Sequence, residues 1–212
     1  MQYQTTTPKS LGDYNIAINE VRALRRHNLY AYRPVLSAVI DVGDYADRGS
    51  DQFPGFVERL VSWLPGLDQH ECSLGRPGGF VERLRRGTFL PHVAEHVCLE
   101  LQGLMGFAVT FGRARNGGAR MLYHVLVEYS EEQPARAALE TALRMTLAAM
   151  HGDPFDVAGE IEKLRDLADD YKLGPSTGAI VAEARRPRDP DHPAYSDKVA
   201  GSARLWAASE AH

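Results

Sequence analysis

The chain has 212 residues, with 24 Lys and Arg against 28 Asp and Glu, and a formal net charge of −4. Hydrophobic residues make up 44% of it, which is typical of a globular chain and excludes an intrinsically disordered one. The mild negative charge argues against a general nucleic-acid binder, and the sequence has no run of about 18 apolar residues that would span a membrane. The start resembles no secretory signal and two cysteines are too few for a disulfide framework, so we expect a cytoplasmic protein.

The first half of the chain reads as strands followed by short helices. Residues 1–20 carry no apolar period and are predicted to be a flexible leader. β-Branched residues between Val21 and Val42 predict two strands, with Pro34 at the start of the second. Apolar residues at helical spacing then predict two short helices, Phe53 to Leu64 and Phe80 to Arg86.

The longest helix is predicted to come next, with Thr88 as its N-cap and its end at Gly103 or Gly106. Two strands, Val109 to Arg115 and Met121 to Tyr129, are predicted to form a hairpin, because residues between them tolerate positive φ.

Three further helices are predicted, at Pro134 to Met150, Phe155 to Tyr171 and Ser176 to Arg186. Residues 187–212 are predicted to be a flexible tail, so that the folded domain spans residues 21–186. The order ββ-αα-ββ-ααα is typical of an α+β fold, here a small, mainly antiparallel sheet with helices packed on one face.

The segment that points most directly to chemistry is His92-Val93-Ala94-Glu95-His96. Residues four apart on a helix project from the same face, so His92 and His96 are candidate ligands of one metal ion. Glu95 lies at the edge of that face, where a carboxylate reaches a metal-bound water. The pattern is that of inverted zinc peptidases, in which Zn²⁺ activates water and the Glu shuttles its proton. The alternative is two surface histidines beside a helix-stabilising Glu.

A catalytic zinc site needs a third protein ligand. The candidates are downstream carboxylates: Glu128, Glu131, Glu132, Glu160 and Glu162. Inverted zinc peptidases take this ligand from a later helix, which favours Glu160. Glu100, one turn beyond His96, is expected to orient an imidazole instead.

Other candidate residues have simpler interpretations. Cys72 has no partner in a metal-ligand spacing, Cys98 is expected to be buried, and His124 is expected to be structural. Arginine supplies 20 of the 24 cations, and its planar fork suits carboxylates. Five arginines could bracket a carboxylate-rich ligand near His92, the alternative being a solvated basic face: Arg83, Arg85, Arg86, Arg113 and Arg115.

Several stretches between residues 21 and 186 carry a family resemblance. They are Arg22-Ala-Leu-Arg, Arg33-Pro34-Val35-Leu36, Leu64-Pro65-Gly66-Leu67 with Cys72, Gly79-Phe80 through Arg86-Gly87-Thr88 to Gln102, Phe111-Gly112-Arg113-Ala114-Arg115, Val127-Glu128-Tyr129 and Leu173-Gly174-Pro175-Ser176-Thr177. In these the chain resembles the N-terminal domain of cyanophycin synthetases, without the ATP-grasp and Mur-ligase-like domains. Whether it is a stand-alone relative or an excised piece stays open.

The resemblance implies a ligand and a role. Cyanophycin is a polymer with a poly-aspartate backbone and an arginine on each side-chain carboxylate, and the N-terminal domain holds it. In some members this domain also carries a metallopeptidase-like site that cuts the chain to make primers. The matching positions are His92 and His96 as metal ligands, Glu95 as general base and Arg113 as a substrate contact.

Two functions are therefore predicted. The first is a Zn²⁺-dependent (or other divalent metal-dependent) peptidase-like hydrolase that cleaves the poly-aspartate backbone of cyanophycin or a related peptide. In it Glu95 is catalytic, His92, His96 and Glu160 are ligands, and Arg113 and Arg115 bind substrate. The second is a non-catalytic cyanophycin-binding module or accessory subunit of a separate synthetase. A homo-oligomer is left open, and no nucleic acid or membrane partner is expected.

Overall fold

A four-stranded sheet forms the centre of the described part of the chain, residues 9–25 and 28–172 of a computed structural model. Its strands are β1 (Ala17–Leu24), β2 (Val35–Asp41), β3 (Gly112–Asn116) and β4 (Leu122–Glu128). They lie in the order β1-β2-β4-β3 and all neighbours are antiparallel, so that β1 and β3 are the edges. The predicted α+β class is confirmed.

Five α-helices accompany the sheet within the described residues: α1 (Phe56–Trp63), α2 (Gly79–Arg86), α3 (Leu90–Leu104), α4 (Glu132–His151) and α5 (Val157–Tyr171). Helices α3 and α4 pack against each other and against the sheet, and α5 packs on α4. Short 3-10 turns at Pro65–Gln69 and Cys72–Leu74 connect α1 to α2. Both of these turns contact α2, which places the Cys72 segment beside the start of α3.

Side-chain alternation decides which face of the sheet is buried. Ala38, Ile40, Val125 and Val127 point to the helices and are at most 1% exposed. Intervening residues such as His124 lie on the opposite face and are partly exposed. Because successive residues of a strand point to opposite faces, Arg113 and Arg115 project away from α3 while Gly112 and Ala114 face it.

The predicted flexible leader does not hold for the described residues 9–20. Gly12–Tyr14 form a 3-10 turn, β1 begins at Ala17, and Tyr14 and Ile16 are buried. The Tyr14 hydroxyl donates a 2.7 Å hydrogen bond to Asp153. The two residues are 139 positions apart in the chain, so no local pattern of apolar residues could predict their contact.

The longest described helix is α4, with 20 residues, and not α3, with 15. Thr88 is not the N-cap of α3, because that position belongs to Phe89. The Thr88 side chain instead lies 2.9 Å from His92 Nδ1, while its N–H donates to Ser50 Oγ. A predicted cap is therefore part of the site described below.

The first strand of the predicted hairpin begins at Gly112, later than expected, and the second occupies Leu122–Glu128. The predicted helix at Ser176 to Arg186 and the predicted tail at 187–212 lie outside the described residues. Within the described residues, none of the helices combines the length and apolar character that crossing a bilayer requires.

Leu84→Ala tests the packing of α2, because Leu84 is fully buried. Truncating a buried Leu leaves a cavity, so we expect a loss of roughly 2–5 kcal/mol in the free energy of unfolding. Urea unfolding measures it. The control is Leu29→Ala, since Leu29 is 98% exposed, and equal losses in both variants would contradict this packing.

Candidate functional site

Helix α3 presents both histidines to one groove. Val93 and Val97 face the core and are fully buried, which leaves His92 and His96 on another side of the helix. Their ring centroids lie 4.9 Å apart with perpendicular planes. Phe80 of α2 stacks on His96 at 4.0 Å and holds that ring in place. The structure thus brings the two predicted ligands together.

Cys72 adds a third ligand atom to this pair. Its Sγ lies 3.3 Å from His92 Nε2. Cys72 has φ 50°, a left-handed conformation uncommon for a residue other than glycine, and such strain is often found at functional positions. One ligand atom each of Cys72, His92 and His96 lies within 4.8 Å of the others. The sequence did not predict Cys72 as a ligand, because His92 is 20 residues away along the chain. The two residues meet only because the chain reverses direction across residues 65–79.

His92 is oriented for this contact by Thr88. In the tautomer that carries its hydrogen on Nδ1, the neutral ring donates Nδ1–H to Thr88 Oγ1, at 2.9 Å, and its Nε2 accepts from the Cys72 thiol. Burial, with the charge of Arg83 as a second cause, lowers the pKa of His92 to about 4. The ring is therefore neutral at pH 7 and has a lone pair on the nitrogen that faces Cys72.

His70 and Glu100 support His96 from behind. The Nδ1 atoms of His70 and His96 are 2.9 Å apart, and His70 Nε2 lies 3.0 Å from Glu100 Oε2. With neutral rings, one arrangement satisfies both contacts: His96 donates Nδ1–H to His70, which donates Nε2–H to Glu100. His96 Nε2 is then left with its lone pair. Glu100 contacts an imidazole, as expected, but the ring is that of His70. The sequence did not predict His70 as a residue of this site.

The electrostatics of His96 agree with this arrangement. Burial first, then the neighbouring His92 and His70, lowers the pKa of His96 to about 2. A proton on this ring would add a charge in a desolvated position between two other imidazoles. His92 and His96 therefore form an uncharged imidazole pair.

Glu95 is buried between α3 and β3, at 4% exposure. Its Oε2 has no hydrogen-bond partner among the described residues. Burial raises the pKa of Glu95 to about 8, although the Ala114 backbone N–H and the charge of Arg113 act in the opposite direction. A Cβ at Gly112 would lie 2.5 Å from Glu95 Oε1, so glycine is what allows the carboxyl group to approach the strand.

Arg113 and Arg115 lie on the edge strand β3 and are exposed. Arg113 lines a groove of about 870 Å³ that also contains His92, Glu95 and His96. Arg115 lines an adjoining depression of about 500 Å³. The two hollows adjoin and are together called the groove; they share four residues: Cys72, Ser73, His92 and Ala114.

The structure does not support Glu160 as the third metal ligand. Its carboxylate lies on α5, where it pairs with Arg144 and with Lys163, at 2.8 Å from the latter. Glu160 is absent both from the groove and from the cluster of possible ligands among the described residues. Helix α5 packs on α4 and on the end of α3, where Arg165 donates to the Leu104 C=O, and local periodicity does not predict this placement.

The other carboxylates that the sequence left open also lie outside that cluster. Glu128 accepts the N–H groups of Thr110 and Phe111 and pairs with Arg33. Glu132 pairs with Arg25 and Arg136. Glu131 and Glu162 are likewise absent from the groove lining.

Fold and groove together define an α+β binding-groove domain, with one edge strand and one helix as its walls. Comparison with known proteins then identifies the family. The family model of the cyanophycin synthase-like N-terminal domain matches residues 37–151, more than half of the chain. The chain belongs to this family.

Curated relatives support the same assignment. A cyanophycin synthetase of Synechocystis sp. is 40% identical over 165 residues, which cover 76% of this chain and 18% of that protein. A cyanophycin synthetase of Trichormus variabilis is 40% identical over 167 residues, with 77% and 18% covered. The chain thus spans about a fifth of the length of the relatives it matches.

These relatives correct the first predicted function. They are named for the synthesis of a polymer, and the prediction of a zinc metallopeptidase-like hydrolase conflicts with that name. The H-x-x-E-H pattern fixes only three residues in five, and helical spacing is sufficient to place two histidines together without specifying a reaction. The predicted resemblance to cyanophycin synthetases is confirmed.

Glu95→Gln tests the burial of this carboxyl group through the pH dependence of stability. Since the pKa of Glu95 is raised from 4.5 to about 8, the folded protein keeps a proton that the unfolded chain loses across this range. This contribution to stability is present below pH 4.5 and is lost as the pH rises to 8. Urea unfolding in EDTA should show Glu95→Gln gaining on the parent between pH 5 and pH 8, by on the order of a few kcal/mol.

The matched control is the same change at the exposed Glu162, which should leave the pH profile of the parent unchanged. The histidines titrate both in the parent and in the Glu95→Gln variant, so their contribution largely cancels in the difference. A constant offset between parent and Glu95→Gln from pH 5 to pH 8 would contradict a raised pKa.

Proposed function

We propose that this chain is a non-catalytic binding module that holds a cyanophycin-like polymer during its synthesis. The observation that carries the proposal is the groove, which offers both signs of charge along one path. Glu71 and Glu100 lie on the α3 side, and Arg113 and Arg115 lie on the β3 side. The family to which the chain belongs supports this choice of polymer.

The polymer that the resemblance implies is zwitterionic. Each repeat offers the carboxylate of an arginine and its guanidinium group, so a binder needs cations for the first and acids for the second. Within the described residues no ion pair occupies Arg83, Arg113 or Arg115. These guanidinium groups are exposed and line the groove, so they are available to carboxylates of the ligand.

We further propose that Cys72, His92 and His96 hold a divalent transition-metal ion in this groove. The donor set fits, since one thiolate and two imidazoles suit borderline metals, and loss of the Cys72 proton on metal binding would release the His92 Nε2 lone pair for coordination beside that of His96. When bound, such an ion offers an open coordination position to an oxygen of the ligand. Thr88 and the His70–Glu100 pair would fix the two rings.

Polymer binding is tested with a short synthetic oligo-aspartate that carries arginine in amide linkage on each side-chain carboxylate. Arg113→Ala with Arg115→Ala removes two carboxylate partners, and we expect Kd to rise at least tenfold by isothermal titration calorimetry. The matched control is Arg22→Ala with Arg25→Ala, which removes equal charge at or just beyond the opposite edge strand. Equal weakening in both double variants would contradict a specific groove.

Metal binding is tested with Co²⁺ as the probe. The parent should show the near-ultraviolet absorption of a thiolate–cobalt bond, and Cys72→Ser should lose it. Cys98→Ser is the control and should keep the band, because Cys98 is fully buried in the core and burial raises the pKa of its thiol. An unchanged band in Cys72→Ser would rule out this ligand set.

A further inference from the structure

The hydrogen bonding of β3 leaves one set of backbone groups unused. Glu128 N–H donates to Phe111 C=O at 2.8 Å, and Gly117 N–H donates to Leu122 C=O at 2.7 Å. In an antiparallel pair, residues of alternate positions exchange hydrogen bonds with the partner strand. The odd-numbered residues from 111 to 117 therefore bond to β4.

The even-numbered residues Gly112, Ala114 and Asn116 direct their N–H and C=O groups the other way. No strand lies on that side among the described residues, since β3 ends the order β1-β2-β4-β3. The Glu95 carboxyl group lies against the first part of this edge, since a Cβ at Gly112 would lie 2.5 Å from its Oε1 and the Ala114 N–H acts on its pKa. The C=O of Ala114 and the N–H and C=O of Asn116 remain directed to the free edge.

This free edge borders the groove along its length. Gly112, Arg113 and Ala114 line the larger hollow, and Ala114, Arg115 and Asn116 line the smaller one. The opposite wall carries Cys72, Ser73 and His92. A chain that follows the groove therefore passes the unpaired C=O of Ala114 and the unpaired N–H and C=O of Asn116, two residues further along the edge.

We infer that the ligand binds by strand addition, as an extended peptide chain that pairs its backbone with the free edge of β3. Exposed sheet edges bind extended peptides in this way, with backbone hydrogen bonds for affinity and alternate side chains for specificity. The inference rests on the proposed function. It concerns how the poly-aspartate backbone is bound, not which polymer is bound.

The side chains of β3 suit such a ligand. Arg113 and Arg115 are two residues apart on one face, which places their Cα atoms roughly 7 Å apart. In an added strand, every second side chain lies on that same face beside them. A polymer with a carboxylate on every residue presents these groups at the same spacing, so each arginine meets one.

The test uses three versions of the synthetic oligomer described above: unmodified, N-methylated at alternate backbone positions, and N-methylated at every backbone position. Because all residues are identical, the alternately methylated chain can shift by one residue and still present an intact row of N–H groups. We expect its Kd within about threefold of the unmodified oligomer. The fully methylated oligomer should bind at least tenfold more weakly.

The outcomes separate this inference from the proposed function. If the unmodified oligomer binds and the fully methylated one binds equally well, side chains alone carry recognition and strand addition is overturned. Strand addition is also overturned if alternate methylation costs as much as full methylation. If the unmodified oligomer does not bind, the proposed function itself fails.

Amide hydrogen exchange supplies a second readout that changes no residue. Saturating unmodified oligomer should slow exchange of the Asn116 N–H at least tenfold. The N–H groups of Arg113 and Arg115, already paired with β4, serve as internal controls and should change little. Unchanged exchange at Asn116 in the bound state would overturn the inference.

Discussion

Helix α3 packs against the edge strand β3 through the carboxyl group of Glu95, and the whole groove depends on this contact. Gly112 has no side chain, so the Glu95 carboxyl group reaches the strand, where the Ala114 N–H acts on its pKa. The helix is thereby fixed in rotation, with Val93 and Val97 in the core and both histidines on the groove side. A different rotation would carry His92 and His96 away from Cys72.

Three ionisable groups of the site, Glu95, His92 and His96, are held uncharged in a desolvated setting. Burial raises the pKa of Glu95 to about 8 and lowers the pKa values of His92 and His96 to about 4 and about 2. Such groups are costly to bury unless each finds a partner. Thr88, Cys72 and the His70–Glu100 pair partner the imidazoles, while Glu95 Oε2 has none among the described residues. Packing of the surrounding core, in which Phe80 stacks on His96, offsets the free-energy cost of burying these groups.

Charge and backbone geometry act together along the groove. The outer face of β3 carries two exposed arginines, while its free edge carries unpaired peptide groups. An extended acidic chain is the ligand whose repeat matches both features, because peptide groups and alternate side chains recur with the period of the strand. The proposed metal position on the opposite wall would add a third kind of contact to the same ligand.

The sequence by itself determined the α+β class, the hairpin of β3 and β4 and the family, because these depend on patterns within short stretches of chain. It also predicted that His92 and His96 share one face of a helix, since residues four apart are neighbours on any α-helix. Tertiary structure alone decided that Cys72 and His70 join them, because a reversal of the chain across residues 65–79 brings distant residues into contact. It also placed Glu160 beside Arg144 of α4 and outside the groove, because helical periodicity does not report which neighbours a helix will have.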